Sequence, residues 1–282
     1  MPDVRVVRST LAAFLAVLAA GLAAGLGLAP PAAAADATVD VELVLAVDVS
    51  YSMDLDELAL QRDGYIGAVT SPEFLNALKL GPNGKVALAY VEWAGAEDQK
   101  LVVDWTEIGS EAEARAFAAA IRAAPLRRVY RTSISGAMSF SAELIRNNRF
   151  KGLKRVIDIS GDGTNNQGPL VDATRDEVVK QGITINGLPL MMKEPAGSML
   201  DIGQLDVYYE DCVIGGPGAF VVPVRGMHEF ATAIKTKLVL EIAGLRLPPP
   251  RIGPVPEVHP VAGEKRVSCS IGERMWMERW GN

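Results

Sequence analysis

Residues 39–52 read VDVELVLAVDVSYS. The first nine form a nearly continuous β-branched and apolar run, the pattern of a strand covered on both faces, as in a parallel sheet. The run stops at Asp48 and passes at once into Asp48-Val49-Ser50-Tyr51-Ser52, which sets one carboxylate and two hydroxyls at alternate positions. A helical stretch follows from about Asp54, with Leu58, Tyr65, Ile66 and Val69 on one side and a stop near Ser71-Pro72. Asp54 to Glu57 reads as its N-terminus, where acidic residues suit the helix dipole. The unit is strand, loop, helix.

The same alternation continues downstream. KVALAYVEW (85–93) and LVVDW (101–105) are strand-like runs separated by AGAEDQ, a hairpin that places an antiparallel strand at the sheet edge. Gly81-Pro82-Asn83-Gly84-Lys85 has only a superficial likeness to a phosphate loop and reads as a turn. A helix is predicted over 110–124 with Ser110 and Glu113 as a capping box, and another after Thr132 with Ile134, Met138 and Ile145 on one face. LKRVIDIS (153–160) is a strand, 170–180 a helix capped by Gly182, and 183–188 a strand again. The segment 189–218 has no clear period beyond a short helix within 198–209. AFVVPV (219–224) reads as the last strand and 227–243 as the last helix. The expected fold class is α/β: a doubly wound, mostly parallel sheet with one antiparallel edge strand and helices on both faces.

Three segments are expected. Residues 1–35 have Arg5 and Arg8 before an Ala/Leu/Gly run to Leu28, then Pro30-Pro31 and Ala33-x-Ala35, the features of a cleaved export signal. The competing reading is a retained anchor, since about 18 apolar residues just span a bilayer. Export implies a periplasmic or secreted protein with no membrane span after cleavage. Residues 36–245 form the α/β domain. Residues 246–282 open with LPPPRIGPVPEVHP, which favours extended polyproline conformation, and end with Trp276 and Trp280, so the tail is expected to pack on the domain. The two cysteines, Cys212 and Cys269, invite a disulfide in an oxidising compartment, with two separate buried thiols as the alternative. A net charge of −6 without a Lys/Arg stripe argues against nucleic acid as a partner.

In a doubly wound sheet, ligands sit beyond the carboxyl ends of the strands. Asp48, Ser50 and Ser52 lie there, Thr132 opens the helix after the hairpin, and Asp162 in Ser160-Gly161-Asp162-Gly163 follows a central strand. This all-oxygen set suits a hard cation, Mg²⁺ or another divalent ion such as Mn²⁺ or Ca²⁺, and neither His nor Cys is near to favour zinc. Taken singly, each loop reads more readily as an ordinary helix cap or turn, and only the three together favour the metal site.

DVSYS matches the D-x-S-x-S signature of the von Willebrand factor A domain, and Thr132 and Asp162 resemble its second-loop threonine and third-loop aspartate. The chain therefore resembles that family over about 39–244. With DVSYSMD, YVEWAG and DISGDGTNNQG it resembles in particular a group of exported bacterial A-domain proteins of unknown function. The resemblance implies a metal-ion-dependent adhesion site that recruits an acidic side chain of a protein partner, with no catalysis. Two positions depart from the pattern: Arg131 stands where the family usually has Gly, and Gly161 where Thr is common. The alternatives are a metal-dependent phosphohydrolase with Asp48 as nucleophile, and a structural assembly component. The first lacks the usual second Asp, Ser50 standing in its place. A serine hydrolase is disfavoured, since there is no G-x-S-x-G and His228 and His259 are the only imidazoles.

Overall fold

The computed structural model describes residues 37–192, 202–243 and 266–280. The expected export signal, the proline-rich stretch as far as 265 and the start of the helix expected within 198–209 lie outside the described residues. Among the described residues the strands are β1 (Ala37–Asp48), β2 (Val86–Trp93), β3 (Gln99–Ile108), β4 (Phe150–Gly161) and β5 (Thr184–Pro189). They form one sheet in the order β3-β2-β1-β4-β5, parallel throughout except for the antiparallel β2–β3 pair at one edge. This is the doubly wound, mostly parallel sheet expected from the alternation of strands and helices.

The helices are α1 (Leu55–Val69), α2 (Pro72–Leu78), α3 (Glu111–Ala123), α4 (Ile134–Arg146), α5 (Val171–Lys180), α6 (Leu205–Tyr208), α7 (Phe230–Ala243) and α8 (Ile271–Trp280). Among these described helices none is long and apolar enough to cross a membrane. The two-residue period of a strand splits β1 between two cores. Leu43, Leu45 and Val47 face α1, α3 and α7, while Val44 and Ala46 face α4 and α5. Asp54 caps α1 reciprocally with Glu57 (both bonds 2.8 Å). Ser71 and Pro72, expected only as a stop, also start α2, with Pro at the first helical turn where a missing N–H costs nothing. The 81–85 turn is held by the Asp40 carboxylate, which accepts from Asn83 N and Nδ2 and from Lys85 N.

Two expectations change. AFVVPV is not a ladder strand: it meets β5 and Leu190 through isolated bridges at Val221 and Val224, with Val222 N and Val224 N donating to the Gly187 and Pro189 carbonyls, so that the N–H Pro223 lacks falls on the side away from β5. The described part of the helix expected within 198–209 starts at Leu205 and runs through a π-helical turn, Tyr209–Val213. Cys212, in that turn, is bonded to Cys269 with a Cα–Cα distance of 5.4 Å.

Beneath α7 the sheet carries buried charge. Lys237 pairs with Asp158 of β4 and with Glu241 one turn along its own helix. Asn186 of β5 donates to Glu241 at 3.0 Å, and the buried Tyr65 hydroxyl of α1 faces Asp158. Burial, with the Asp158 charge beside it, pushes the Glu241 carboxyl up to about 7. The folded state thus holds the Glu241 proton more tightly than the unfolded chain does, so this stabilisation is full below the ordinary Glu range and is lost as pH rises through 7. On the order of 3 kcal/mol is at stake. Glu241→Gln should match the native chain in melting temperature at pH 5 and exceed it at pH 8, which thermal scans across that range will check.

Candidate metal centre

β1 and β4 are adjacent and parallel, yet the chain leaves β1 toward β2 and leaves β4 toward β5, so the crevice between their carboxyl ends is a topological switch point. Asp48 is the last residue of β1, and Asp162 follows the last residue of β4. Register alone therefore brings the two carboxylates to one rim.

The first loop turns back on itself. Ser50 N donates to Asp48 Oδ1 at 2.6 Å, Gln61 Nε2 of α1 donates to the Asp48 carbonyl at 3.0 Å, and the Ser50 and Ser52 hydroxyls share a hydrogen bond of 2.8 Å. Ser52 Oγ then donates to Asp162 Oδ1 at 2.6 Å. Asp48 and Ser50 are buried and Ser52 is exposed, so the row of oxygens climbs from a dry floor to solvent.

Thr132 arrives on the second loop, which is sewn to the first by Val129 N→Val49 O at 2.9 Å. It is sewn to the third by a reciprocal pair, Asn166 N→Thr132 O at 2.9 Å and Thr132 N→Asn166 Oδ1 at 3.1 Å. The Thr132 hydroxyl lies 3.9 Å from where a β-carbon on Gly163 would stand, so it borders the Asp162 turn. Asp48, Ser50, Ser52 and Asp162 are thus joined in one hydrogen-bonded row, and Thr132, the fifth oxygen-bearing residue singled out in the sequence, borders the turn that carries Asp162.

The electrostatics of this rim are unbalanced. Asp48 Oδ2 is buried and accepts no hydrogen bond. Burial, and next the charge of Asp162, hold the Asp48 carboxyl well above the usual carboxylate range, against the smaller opposing effect of the Ser50 backbone and hydroxyl and of the Asp162 backbone N–H. Among the described residues no group of three or more His, Cys, Asp and Glu side chains is placed to hold an ion. A cation here would be held by two carboxylates together with neutral hydroxyls. Such a set fits a hard divalent ion, and the unpartnered oxygen on the floor fits it too.

Sequence reading passed over the residues behind the rim. Tyr209, fully buried in the π-helical turn, donates to the Gly161 carbonyl at 3.4 Å, and its own pKa is raised by burial and then by the Asp48 charge. A β-carbon at position 161 would stand 2.8 Å from Asp48 Oδ2 and 3.0 Å from Tyr209 Oη, which accounts for Gly where the A-domain pattern commonly has Thr. Arg131 has φ 78°, the one positive φ outside glycine among the described residues, which accounts for the usual Gly there. Its guanidinium lies over the Trp276 ring of α8, 3.3 Å from the centroid. The TNNQ run (164–167) binds the loops together, and its only visible signal was a cluster of amides after a turn.

Residues 38–246 match the family model described as "Protein of unknown function (DUF1194)". No curated protein matches the chain. Among solved structures, the chain is similar to the pilus adhesin SpaC from Lactobacillus rhamnosus GG (TM-score 0.54, 11% identity, 72% of this chain and 31% of that chain). It is also similar to proximal thread matrix protein 1 from the mussel byssus with a zinc-occupied MIDAS motif (TM-score 0.50, 13% identity, 72% and 46%). A third is a von Willebrand factor type A protein from Catenulispora acidiphila (TM-score 0.50, 13% identity, 73% and 43%). The chain spans less than half the length of each. At these identities the likeness is one of fold, and the fold is that of a von Willebrand factor A domain.

Gly161→Ala should lower the melting temperature by several degrees, on the order of 1–3 kcal/mol, by forcing a β-carbon into this space. Adding Tyr209→Phe should restore part of that loss by removing one of the two colliding oxygens, a comparison that differential scanning calorimetry resolves.

Proposed function

Because the chain belongs to the DUF1194 family, for which no activity is assigned, and has an A-domain fold, we propose that it is a metal-dependent protein-binding module. Asp48, Ser50, Ser52, Thr132 and Asp162 hold a divalent cation, Mg²⁺ or an ion of similar hardness, at the switch point between β1 and β4. The single observation that carries the reading is the buried, unpartnered Asp48 Oδ2 facing a second carboxylate across a row of hydroxyls.

When bound, the cation supplies positive charge and an exchangeable coordination position. The residues of the chain decide how that position is used. Asp48 anchors from the floor with Oδ2, its other oxygen being engaged by Ser50 N. Ser50 and Ser52 contribute dipoles without charge, and five side-chain oxygens would leave one of the six positions of an octahedral ion unfilled, so the solvent side at Ser52 stays open to an acidic side chain of a partner protein. The similar folds of a pilus adhesin and of a byssus matrix protein with a zinc-occupied MIDAS motif support a binding role. A hydroxyl at Ser50, engaged with Ser52, gives the phosphohydrolase alternative no general acid two residues beyond Asp48. The domain is residues 36–245, exported after removal of 1–35 to the periplasm or beyond. The Cys212–Cys269 bond supports an oxidising location.

Calorimetric titration with MgCl₂ and MnCl₂ should show one saturable site, with the cation raising the melting temperature. Asp48→Asn should abolish that binding while the chelated variant melts at or above the native protein, because the charge conflict with Asp162 is gone. Capture of a partner from an envelope extract should be lost with chelator and with Asp48→Asn alike.

A further inference from the structure

The last described segment, 266–280, lies beyond the family match at 38–246, yet it reaches the second and third loops of the candidate centre. Cys269 is bonded to Cys212, and its carbonyl accepts from Tyr208 Oη at 3.5 Å, the same hydroxyl that accepts from Asn165 N at 3.1 Å. Gly272 is pressed against the third loop: a β-carbon there would stand 2.1 Å from the Asn165 carbonyl and 2.5 Å from Thr164 Oγ1. Glu273 Oε1 accepts from Asn165 Nδ2 at 2.7 Å. Trp276 stacks on Arg131, the residue immediately before Thr132 and the one with the left-handed backbone.

Asn165 itself is fully buried and reaches back to the first turn of α4, which the second loop enters, its Oδ1 accepting from Ser135 N at 3.0 Å. The segment from Cys269 to Trp276 therefore touches both the second loop, at Arg131, and the third, at Thr164 and Asn165. A loop residue held at φ 78° has cheaper conformations available, and only outside contacts keep it there. Removing those contacts leaves the ligand hydroxyl free to leave the rim.

We propose that the disulfide-anchored segment Cys269–Trp276 is a clamp that pre-orders the second and third loops, with Arg131 and Trp276 as positioning residues that set cation affinity. This rests on the cation-binding reading above. If the ordered loop arrangement is only partly populated without the clamp, apparent affinity falls by that fraction.

The test uses the full disulfide-bonded chain with Trp276→Ala, Arg131→Ala and the double variant. Titration with MnCl₂ should show binding weakened about tenfold in each. The double variant should be no worse than either single one, since one contact is being removed. Melting temperatures of the chelated proteins should move by no more than about 3 °C, since a single ring contact at the edge of the fold is removed. Hydrogen exchange of the chelated proteins should speed up at 130–133 and 162–166 and stay unchanged in β1 and β2. Unchanged Mn²⁺ affinity in both single variants, or exchange that is uniform across the fold, overturns the clamp. If the native chain binds no cation, the function reading fails, and exchange at the two loops still decides whether the clamp orders them.

Discussion

The rest of the centre depends on two carboxylates brought together by strand register. β1 and β4 are neighbouring parallel strands, so the residues that end them must meet, and here those residues lead to Asp48 and Asp162. Asp48 is completely buried, which makes the proximity of a second negative charge far costlier than on an open surface. Every neighbouring feature answers this conflict. The hydroxyls of Ser50 and Ser52 line the path between the two, Gly161 keeps space beside Asp48 Oδ2, and the loops carrying Thr132 and Asp162 are bound to each other by amides. A site that kept such a conflict only for stability would be better served by an apolar pair.

The same sheet shows how the chain handles buried acids when it supplies the counter-charge itself. Asp158, on β4, and Glu241 share Lys237, and all three are buried. There a lysine stands beside the two acids, whereas the groups acting on Asp48 are a second carboxylate and neutral hydrogen-bond donors. One cluster carries its counter-charge within the chain, and the other is the one proposed to take it from outside. That contrast within one sheet favours a binding role at the rim and a structural one beneath α7.

Much of this was legible in the residues. The unbroken run 39–47 marked a doubly covered strand, the hairpin spacing marked the antiparallel edge, and DVSYS placed its oxygens by alternation alone. What escaped had physical causes. AFVVPV has strand composition, and composition does not tell a continuous ladder from the isolated bridges that form at Val221 and Val224. The TNNQ amides look like any polar turn, since what they do depends on which loops the fold brings near. Tyr208 and Tyr209 sit in a π-helical turn within a segment lacking a simple period, so nothing local marked them as the wall behind the centre. The tail aromatics suggested packing, whereas their target at Arg131 lies far back in the chain.

The two departures from the A-domain pattern acquire a common explanation in three dimensions. Where the pattern commonly has Thr before the third-loop aspartate, this chain has Gly161, and the Tyr209 hydroxyl stands where that side chain would go. Where the pattern usually has Gly before the second-loop threonine, this chain has Arg131 in the same left-handed backbone, laid on Trp276. In each case a change that looks damaging in one dimension is met by an aromatic residue from the later part of the chain. The ligand oxygens are the part of the motif that chemistry holds constant, and the positions between them are free to change if the surrounding wall changes too. Such pairs imply that the segments carrying Tyr209 and Trp276, joined through Cys212 and Cys269, belong to the centre as much as the three loops do.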